Sequence, residues 1–185
     1  KNMACDVTAL NSVTDCPSAD GGIEYSWYVS SEYVTAITVS SAKISNFTMS
    51  TSGKWKRLDY DKDGTSFFNE TGNRTNRRLV YQQAALLKFA GKNAAAKAVT
   101  DIADSCCALI FIHILTAGER VVQGIEIDAA ATGGFTTNKV EVTRLTPNSL
   151  SDTSANEARL EWNLGGQTKK LAPFTTLTDT AIAAL

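Results

Sequence analysis

The sequence has little of the residue types from which most active sites are built. Its 185 residues include one histidine, four cysteines, three prolines and two methionines. The single histidine, His113, lies inside the apolar run 110–115. A histidine in such a run is more often a satisfied core residue than a ligand or a base, so we interpret it as structural. No nucleophile-elbow, phosphate-loop or dinucleotide glycine motif occurs, and we therefore do not expect an enzyme.

The cysteines are too few and too oddly spaced to form a recognisable framework. Cys5 and Cys16 could form a disulfide, whereas Cys106 and Cys107 are adjacent, and a disulfide between neighbours is strained. Two buried thiols suit a reducing compartment, so we expect assembly in the cytoplasm. The short Cys-x-x-Cys spacing of zinc sites is also absent. We expect neither a zinc site nor a cofactor.

Charge excess and long apolar runs are missing as well. The formal net charge is −1, which argues against a basic face that would hold nucleic acid. The longest apolar run, 106–115, is about half the length of a membrane span, so no membrane partner is expected. At 185 residues the chain is long enough for one domain with a sizeable core, and we assign 1–185 to a single domain.

What the sequence does contain is short stretches in which apolar and polar residues alternate, as in β-strands. Outside the segment 43–89, strands are predicted at 23–29, 33–40, 107–115, 120–127, 137–145 and 157–164. Segment 107–115 is apolar on both faces, which is typical of a central, covered strand. A helix is predicted over about 93–105, where apolar residues share one face. The tail from residue 170 is too polar to be expected in the core. The fold class is therefore mainly β (α+β).

The segment 43–89 supports two incompatible interpretations. Residues 59–70, DYDKDGTSFFNE, match a calcium loop, with candidate ligands Asp59, Asp61, Asp63 and Glu70. An EF-hand also needs a helix on each side, yet the flanks are rich in Ser, Thr and Gly and alternate with a period of two. We therefore interpret 43–89 as a long β-hairpin arm with an acidic tip. A calcium-binding β-rich extracellular or adhesin module remains the alternative.

An arm of this kind is an assembly device. Strands near 43–60 and 65–89, at about 3.3 Å per residue, would reach on the order of 55 Å. An isolated two-stranded ribbon is marginally stable, so the arm predicts a partner surface. Its acidic residues are expected to pair with its arginines or with those of a neighbouring subunit. The residues assigned to the arm are Trp55, Asp59, Asp61, Asp63, Phe67, Phe68, Arg74, Arg77 and Arg78.

The order of these features resembles a known family. A short cysteine-containing start is followed by Gly-Gly-Ile at 21–23, an aromatic strand, the arm and Leu-Leu-Lys-Phe at 86–89. The predicted helix, Cys-Cys-Ala-Leu-Ile at 106–110 and Leu-Ala-Pro-Phe at 171–174 follow. This order is similar to the tail-tube and tail-ring proteins of tailed bacterial viruses, especially those of Bacteroidetes hosts. Residues 61–69 look like the family's acidic tip leading into an aromatic pair.

The resemblance implies a β-sandwich with one packed helix and an extended hairpin arm. It also implies a virion protein that forms six-membered rings, which stack as a tail tube or act as an adaptor ring. The expected partners are further copies of the chain and other tail proteins. Viral DNA would pass through the lumen without specific binding, which requires a neutral to acidic wall because basic residues would bind phosphate. The near-neutral net charge of the chain permits such a wall.

Overall fold

The alternating segments form antiparallel strands, so the expected mainly β class is confirmed. A computed structural model describes residues 22–59, 66–75, 78–89, 108–129, 134–138, 140–145 and 160–185. Within these residues the strands are β1 (Ile23–Ser30), β2 (Val34–Ser40), β3 (Lys43–Met49), β4 (Lys56–Asp59), β5 (Phe67–Thr75), β6 (Arg78–Phe89), β7 (Leu109–Leu115), β8 (Arg120–Gln123), β9 (Ile125–Ala129), β10 (Gly134–Thr137), β11 (Glu141–Leu145) and β12 (Leu160–Thr168), and the α-helix is α1 (Asp179–Ala184). The helix predicted over 93–105 lies outside the described residues.

The strands form two four-stranded sheets and two hairpins. Sheet 1 has the order β4-β1-β7-β8, and sheet 2 has the order β11-β12-β6-β5. The hairpins are β2-β3 and β9-β10. Strand β7 is central in sheet 1 and is buried from Leu109 to Ile114, which confirms the prediction from its apolar sequence.

Both faces of sheet 1 are covered, because its strands carry apolar residues on both sides. Ile110 and Ile112 belong to a first core cluster that includes Phe47 of β3. Leu109 and Phe111 point the other way and belong to a second cluster with residues of sheet 2. Sheet 1 therefore lies between sheet 2 on one side and the β2-β3 hairpin on the other.

The last described segment, residues 169–185, closes the first cluster, and we call it the strap. Phe174 forms a bridge to Val121 of β8, and Thr175 forms one to Ile44 of β3. Leu177 and Ile182 are buried in the first cluster. The expectation that this tail is excluded from the core is therefore wrong. Its apolar residues are few, but the fold places them in the gap between two strand edges.

Gly124 lets the chain leave sheet 1 after β8. Its φ of +93° favours glycine, and an added Cβ would lie 2.3 Å from the carbonyl oxygen of Leu109. The break turns β9 away from β7 and towards its partner β10. The single strand predicted at 120–127 is consequently two short strands in different sheets.

The long hairpin predicted over 43–89 is wrong in its pairing. Strand β3 pairs with β2, β4 pairs with β1, and only β5 and β6 pair with each other. Trp55 is buried in the first cluster, with its ring centroid 5.1 Å from that of Phe47, so it is a core residue and not part of an arm. The physical reason is that alternation marks a strand without specifying its partner.

Candidate assembly surfaces

The hairpin formed by β5 and β6 extends beyond the sheet to which it belongs. Strand β12 pairs with β6 up to Thr168, which lies opposite Tyr81. Beyond that point β5 and β6 continue through three further residue pairs and are joined by residues 76–77. We call residues 73–80 the overhang; its three pairs extend about 10 Å past β12. A hairpin arm is thus present, but it is much shorter than expected and its tip is not the acidic loop.

The overhang carries an apolar side chain away from the core. Gln83, Ala85 and Leu87 of β6 point towards sheet 1 and are buried. Leu79 continues the same face of the strand but is 45% exposed, because the core ends before it. It lies beside Gly72, where an added Cβ would be 3.6 Å from the Leu79 Cδ1. A single exposed leucine is common on protein surfaces, so it is the position of Leu79 on a hairpin that projects beyond its sheet that makes it a candidate contact point.

The other residues assigned to the arm are dispersed. Phe67 is 41% exposed, whereas Phe68 is half-buried and packs against the second core cluster. Arg74 is exposed at the overhang. Arg78 pairs with Thr75 in the backbone register, and Arg77 lies outside the described residues. The hairpin tip is therefore flanked by arginines rather than by aspartates.

The acidic loop begins and ends on one edge of sheet 1. Asp59 is paired with Tyr25 of β1, and the carbonyl oxygen of Ser66 accepts a hydrogen bond from the Ile23 amide. Asp59 and Ser66 therefore both lie along β1, and the strands β4 and β5 do not pair with each other as the two arms of a hairpin. Asp61 and Asp63 lie outside the described residues. The Asp59 carboxylate accepts a 2.7 Å hydrogen bond from Arg57, so Asp59 does not have the expected arm arginine as its partner.

Asp59 and Glu70, the first and last residues of the proposed calcium loop, lie in strands of different sheets. Its flanks are strands β4 and β5, so this segment does not form the helix–loop–helix of an EF-hand. The Glu70 Oε1 atom accepts hydrogen bonds from the Gln83 amide nitrogen at 2.9 Å and the Ala172 backbone at 2.8 Å. A calcium ion would have to compete with both donors for this carboxylate. Within the described part of the chain, no group of three metal-ligating side chains comes together.

The strap is fastened to the sheets by polar contacts. One Glu126 carboxylate oxygen accepts hydrogen bonds from the Lys169 amide at 2.7 Å and from Asn138 at 2.9 Å. Asp179 at the start of α1 accepts a hydrogen bond from the Tyr25 hydroxyl and forms an ion pair with Arg120 at 3.7 Å. Burial and the bond to Asp179 raise the pKa of Tyr25 to about 12.

Arg57, which donates a hydrogen bond to Asp59, also contacts Tyr25, the residue whose hydroxyl binds Asp179 of the strap. The Arg57 guanidinium lies 4.0 Å from the centroid of the Tyr25 ring, a cation–π contact. Its hydrogen bond to Asp59 raises the pKa of Arg57. Arg57 and Asp59 therefore form a charged pair on the exposed side of β4. Of these two residues, only Asp59 was among the site residues predicted from the sequence. Tyr25, Arg120 and Asp179 were missed because they are far apart in the sequence and meet only in the fold.

His113 is buried at the interface of the two sheets. Its Nδ1 lies 2.7 Å from the Ser26 hydroxyl, and its Nε2 lies 2.9 Å from the Gln123 side-chain oxygen. The Gln123 amide nitrogen donates to the carbonyl oxygen of Leu164 at 2.9 Å. Gln123 therefore accepts from Nε2–H, and Ser26 donates to Nδ1. The relay connects three strands of sheet 1 to β12 of sheet 2.

A serine hydrogen-bonded to a histidine can be a catalytic pair, but this pair has no access to a substrate. Ser26 and His113 are both fully buried. Burial lowers the pKa of His113 to about 4, although the hydrogen bond from its ring to Gln123 opposes the shift. A neutral, enclosed imidazole confirms the interpretation of His113 as a satisfied core residue.

Comparison with known proteins adds no further assignment. No family model, curated protein or solved structure matches this chain. Among the described residues, no helix has the length and apolarity needed to cross a membrane.

Proposed function

We propose that this protein is a structural subunit of a bacteriophage tail that assembles into rings, six-membered in the simplest arrangement. The rings stack as the tail tube or form an adaptor ring, and they provide a conduit for DNA. The observation that carries the proposal is the overhang, which presents Leu79 to solvent beyond the core. A two-stranded ribbon that projects past its sheet gains stability from a second surface.

Sheet edges provide the second line of support. Strands β11 and β5 are the two outer strands of sheet 2, and neither has another partner among the described residues. Pairing β5 of one copy with β11 of the next would continue the sheet by main-chain hydrogen bonds. Such a head-to-tail contact generates a ring when the rotation between copies closes.

The composition of the edges favours β5 as a pairing strand. Strand β4 exposes Lys56 and Arg57, and charged residues of this kind protect an edge from pairing. The exposed residues of β5 from Asn69 to Asn73 carry no charge, and the exposed charge of this strand, Arg74, lies near its end in the overhang. Sheet 2 is therefore the better candidate for the sheet that continues between copies.

The outer face of sheet 2 also suits the wall of a DNA conduit. Thr71, Gln82 and Gln167 form a row across β5, β6 and β12, and all three are exposed. The described side chains on this face of these three strands carry no charge, and Glu141 on β11 adds an acidic one. The side chains of this face that the structure describes include no basic group that would hold DNA by binding phosphate through counterion release.

The packing of the two sheets supports the sandwich part of the proposal. The second core cluster contains Phe111 of β7 together with Ala85 and Leu164 of sheet 2. The His113 relay adds polar contacts between the same two sheets. A rigid two-sheet body is what a ring subunit needs in order to hold its edge strands at a fixed angle.

Negative-stain electron microscopy of the purified protein at high concentration tests this proposal. We expect rings with a central opening and, at higher concentration, stacked rings or tubes. Analytical ultracentrifugation of the same sample gives the number of copies per ring. Monodisperse monomers at every concentration would contradict the proposed function.

A further inference from the structure

The strap fills a groove whose two walls are strand edges. On one side the Val122 amide donates to the Pro173 carbonyl, and the Thr175 amide donates to the Arg120 carbonyl. On the other side the Ile44 amide donates to the Phe174 carbonyl, and the Thr176 amide donates to the Ile44 carbonyl. The strap thus acts as a short strand that joins β8 to β3.

The groove cannot remain empty in a stable protein. Without the strap, the edges of β8 and β3 would lose their hydrogen-bond partners, and Ile44, which is fully buried, would be exposed. The groove therefore requires an occupant that supplies both backbone hydrogen bonds and apolar side chains. The occupant is extended over 173–176 and places Leu177 and Ile182 in the first core cluster.

The first two residues of the strap are held in place, because the Lys169 amide donates to Glu126 and the Lys170 ammonium group donates to the carbonyl oxygens of Ile127 and Asp128. A change of direction would therefore begin at Leu171. Lys169, Lys170 and Leu171 are exposed, and Leu171 is 58% exposed despite being apolar. The strap is held by isolated bridges and by side-chain contacts rather than by a long ladder. An identical segment from a second copy would make the same bridges, the same apolar contacts and the same ion pair.

We propose that the strap is exchanged between copies during assembly, so that residues 171–185 of one subunit fill the groove between β8 and β3 of its neighbour. This inference rests on the proposed self-assembly and names the contact that joins adjacent copies. Exchange of an identical element creates an interface without requiring a new complementary surface. The exposed leucine at the connection would then be covered by the neighbouring copy.

The ion pair between Arg120 in the groove and Asp179 in the strap allows a direct test. Arg120→Asp and Asp179→Arg each place like charges together within one chain, which opposes strap docking. If copies exchange straps, a mixture of the two variants places opposite charges at every groove. We therefore expect each variant alone to assemble several-fold less well than wild type, and the mixture to form complexes that contain both variants.

The double variant Arg120→Asp/Asp179→Arg is the matched control, since it restores opposite charges within every chain. Native mass spectrometry with one variant isotopically labelled measures the composition of the complexes. If complexes that contain both variants are no more abundant than the complexes that the two variants form separately, the proposed exchange is contradicted. If mixed complexes are absent but the wild-type protein still forms rings, only the strap exchange is contradicted. If the wild-type protein forms no rings, the proposed function itself is contradicted.

A second measurement covers the case in which the charge variants fail to fold. Val121 and Phe174 are bridge partners, and directly opposed residues of an antiparallel pair lie close enough for a disulfide. Val121→Cys and Phe174→Cys chains, mixed under assembly conditions and then oxidised, should give a covalent dimer containing one of each. Each variant oxidised alone controls for the native cysteines. No dimer above those controls would contradict the exchange.

Discussion

His113 shows how one polar residue can define the relation of two sheets. Its ring lies between Ser26 and Gln123, and Gln123 in turn reaches Leu164 of the opposite sheet. The Phe111 ring is stacked on it with a centroid distance of 5.8 Å. Each polar atom has a partner, so the buried relay restricts how sheet 2 can be placed on sheet 1.

His113 should make stability depend on pH in a defined window. Its folded pKa of about 4 lies below the ordinary value of 6.5, so between these values the unfolded chain binds a proton that the folded chain does not. The free energy of unfolding should therefore fall by up to about 3 kcal/mol as the pH is lowered from 6.5 to 4. Urea unfolding of wild type and His113→Gln across this range measures the effect.

The His113→Gln variant keeps a hydrogen-bonding side chain but lacks the imidazole group that titrates. It should be less stable than wild type near pH 7, because the relay geometry is altered, by roughly 1 to 3 kcal/mol. Its stability should also change less between pH 6.5 and 4. Parallel curves for the two proteins would show that His113 is not the group responsible.

At the scale of elements, the turn between β2 and β3 is a point of backbone strain. Ser40 pairs with Lys43, so the hairpin has a two-residue loop. Ser41 has φ of 51° and Ala42 has φ of 62°, values that residues with a Cβ rarely adopt. Two-residue hairpin loops with positive φ at both positions favour Asn-Gly.

Replacing Ala42 with glycine should therefore stabilise the protein. The expected gain is about 0.5 to 1 kcal/mol, because removing the Cβ relieves the strain by more than it increases the entropy of the unfolded chain. Thermal unfolding followed by circular dichroism measures it. Ala84→Gly, at a position of β6 where the ladders to β5 and β12 are regular, is the control and should be destabilising. A loss of stability in Ala42→Gly would mean that the turn is not strained.

Sequence patterns predicted which segments are strands better than they predicted how the strands pair. The continuous apolar run correctly indicated the central strand β7 and the core position of His113. The strongest turn signal, Asp63-Gly64, suggested the tip of a long hairpin, whereas the observed hairpin turns between Thr75 and Arg78, where no glycine or proline is present. Local turn chemistry therefore favoured the wrong pairing partner for β3 and β4, the strands on either side of Trp55.

The strap and its anchors could not be predicted for a different reason. Leu177 and Ile182 are separated by polar residues, so no amphipathic period marks the segment. Their burial depends on a groove formed by β8 and β3, which are distant in the sequence. The contacts of Tyr25 and Arg120 with Asp179 likewise depend on the completed fold.

At the scale of the whole molecule, the charged residues of the segment 59–78 form two groups along the chain. Arg74 and Arg78 belong to the β5-β6 hairpin and Arg77 lies between them in the sequence, whereas Asp61 and Asp63 lie in the sequence between β4 and β5. We expect the two groups to meet between copies. Such pairs set register and orientation rather than the stability of one chain.

Changing Asp61 and Asp63 to Asn should consequently weaken assembly more at low salt than at high salt. The melting temperature of the monomer should be nearly unchanged, because exposed ion pairs contribute about 0 to 1 kcal/mol each. Ultracentrifugation at two ionic strengths measures the effect. If a chelator disassembles wild-type rings as effectively as the double substitution does, the loop binds calcium instead.

The central claim is that the overhang joins copies through its apolar face. Leu79→Asp places a charge on that face, and Gln82→Asp places one on the opposite, exposed face of the internal strand β6, away from the edge strand β5. The most direct measurement is the molecular mass of wild type and both variants by analytical ultracentrifugation, with melting temperatures recorded in parallel. We predict that Leu79→Asp remains a folded monomer at concentrations where wild type and Gln82→Asp form rings. Rings of wild-type mass in Leu79→Asp would contradict the account.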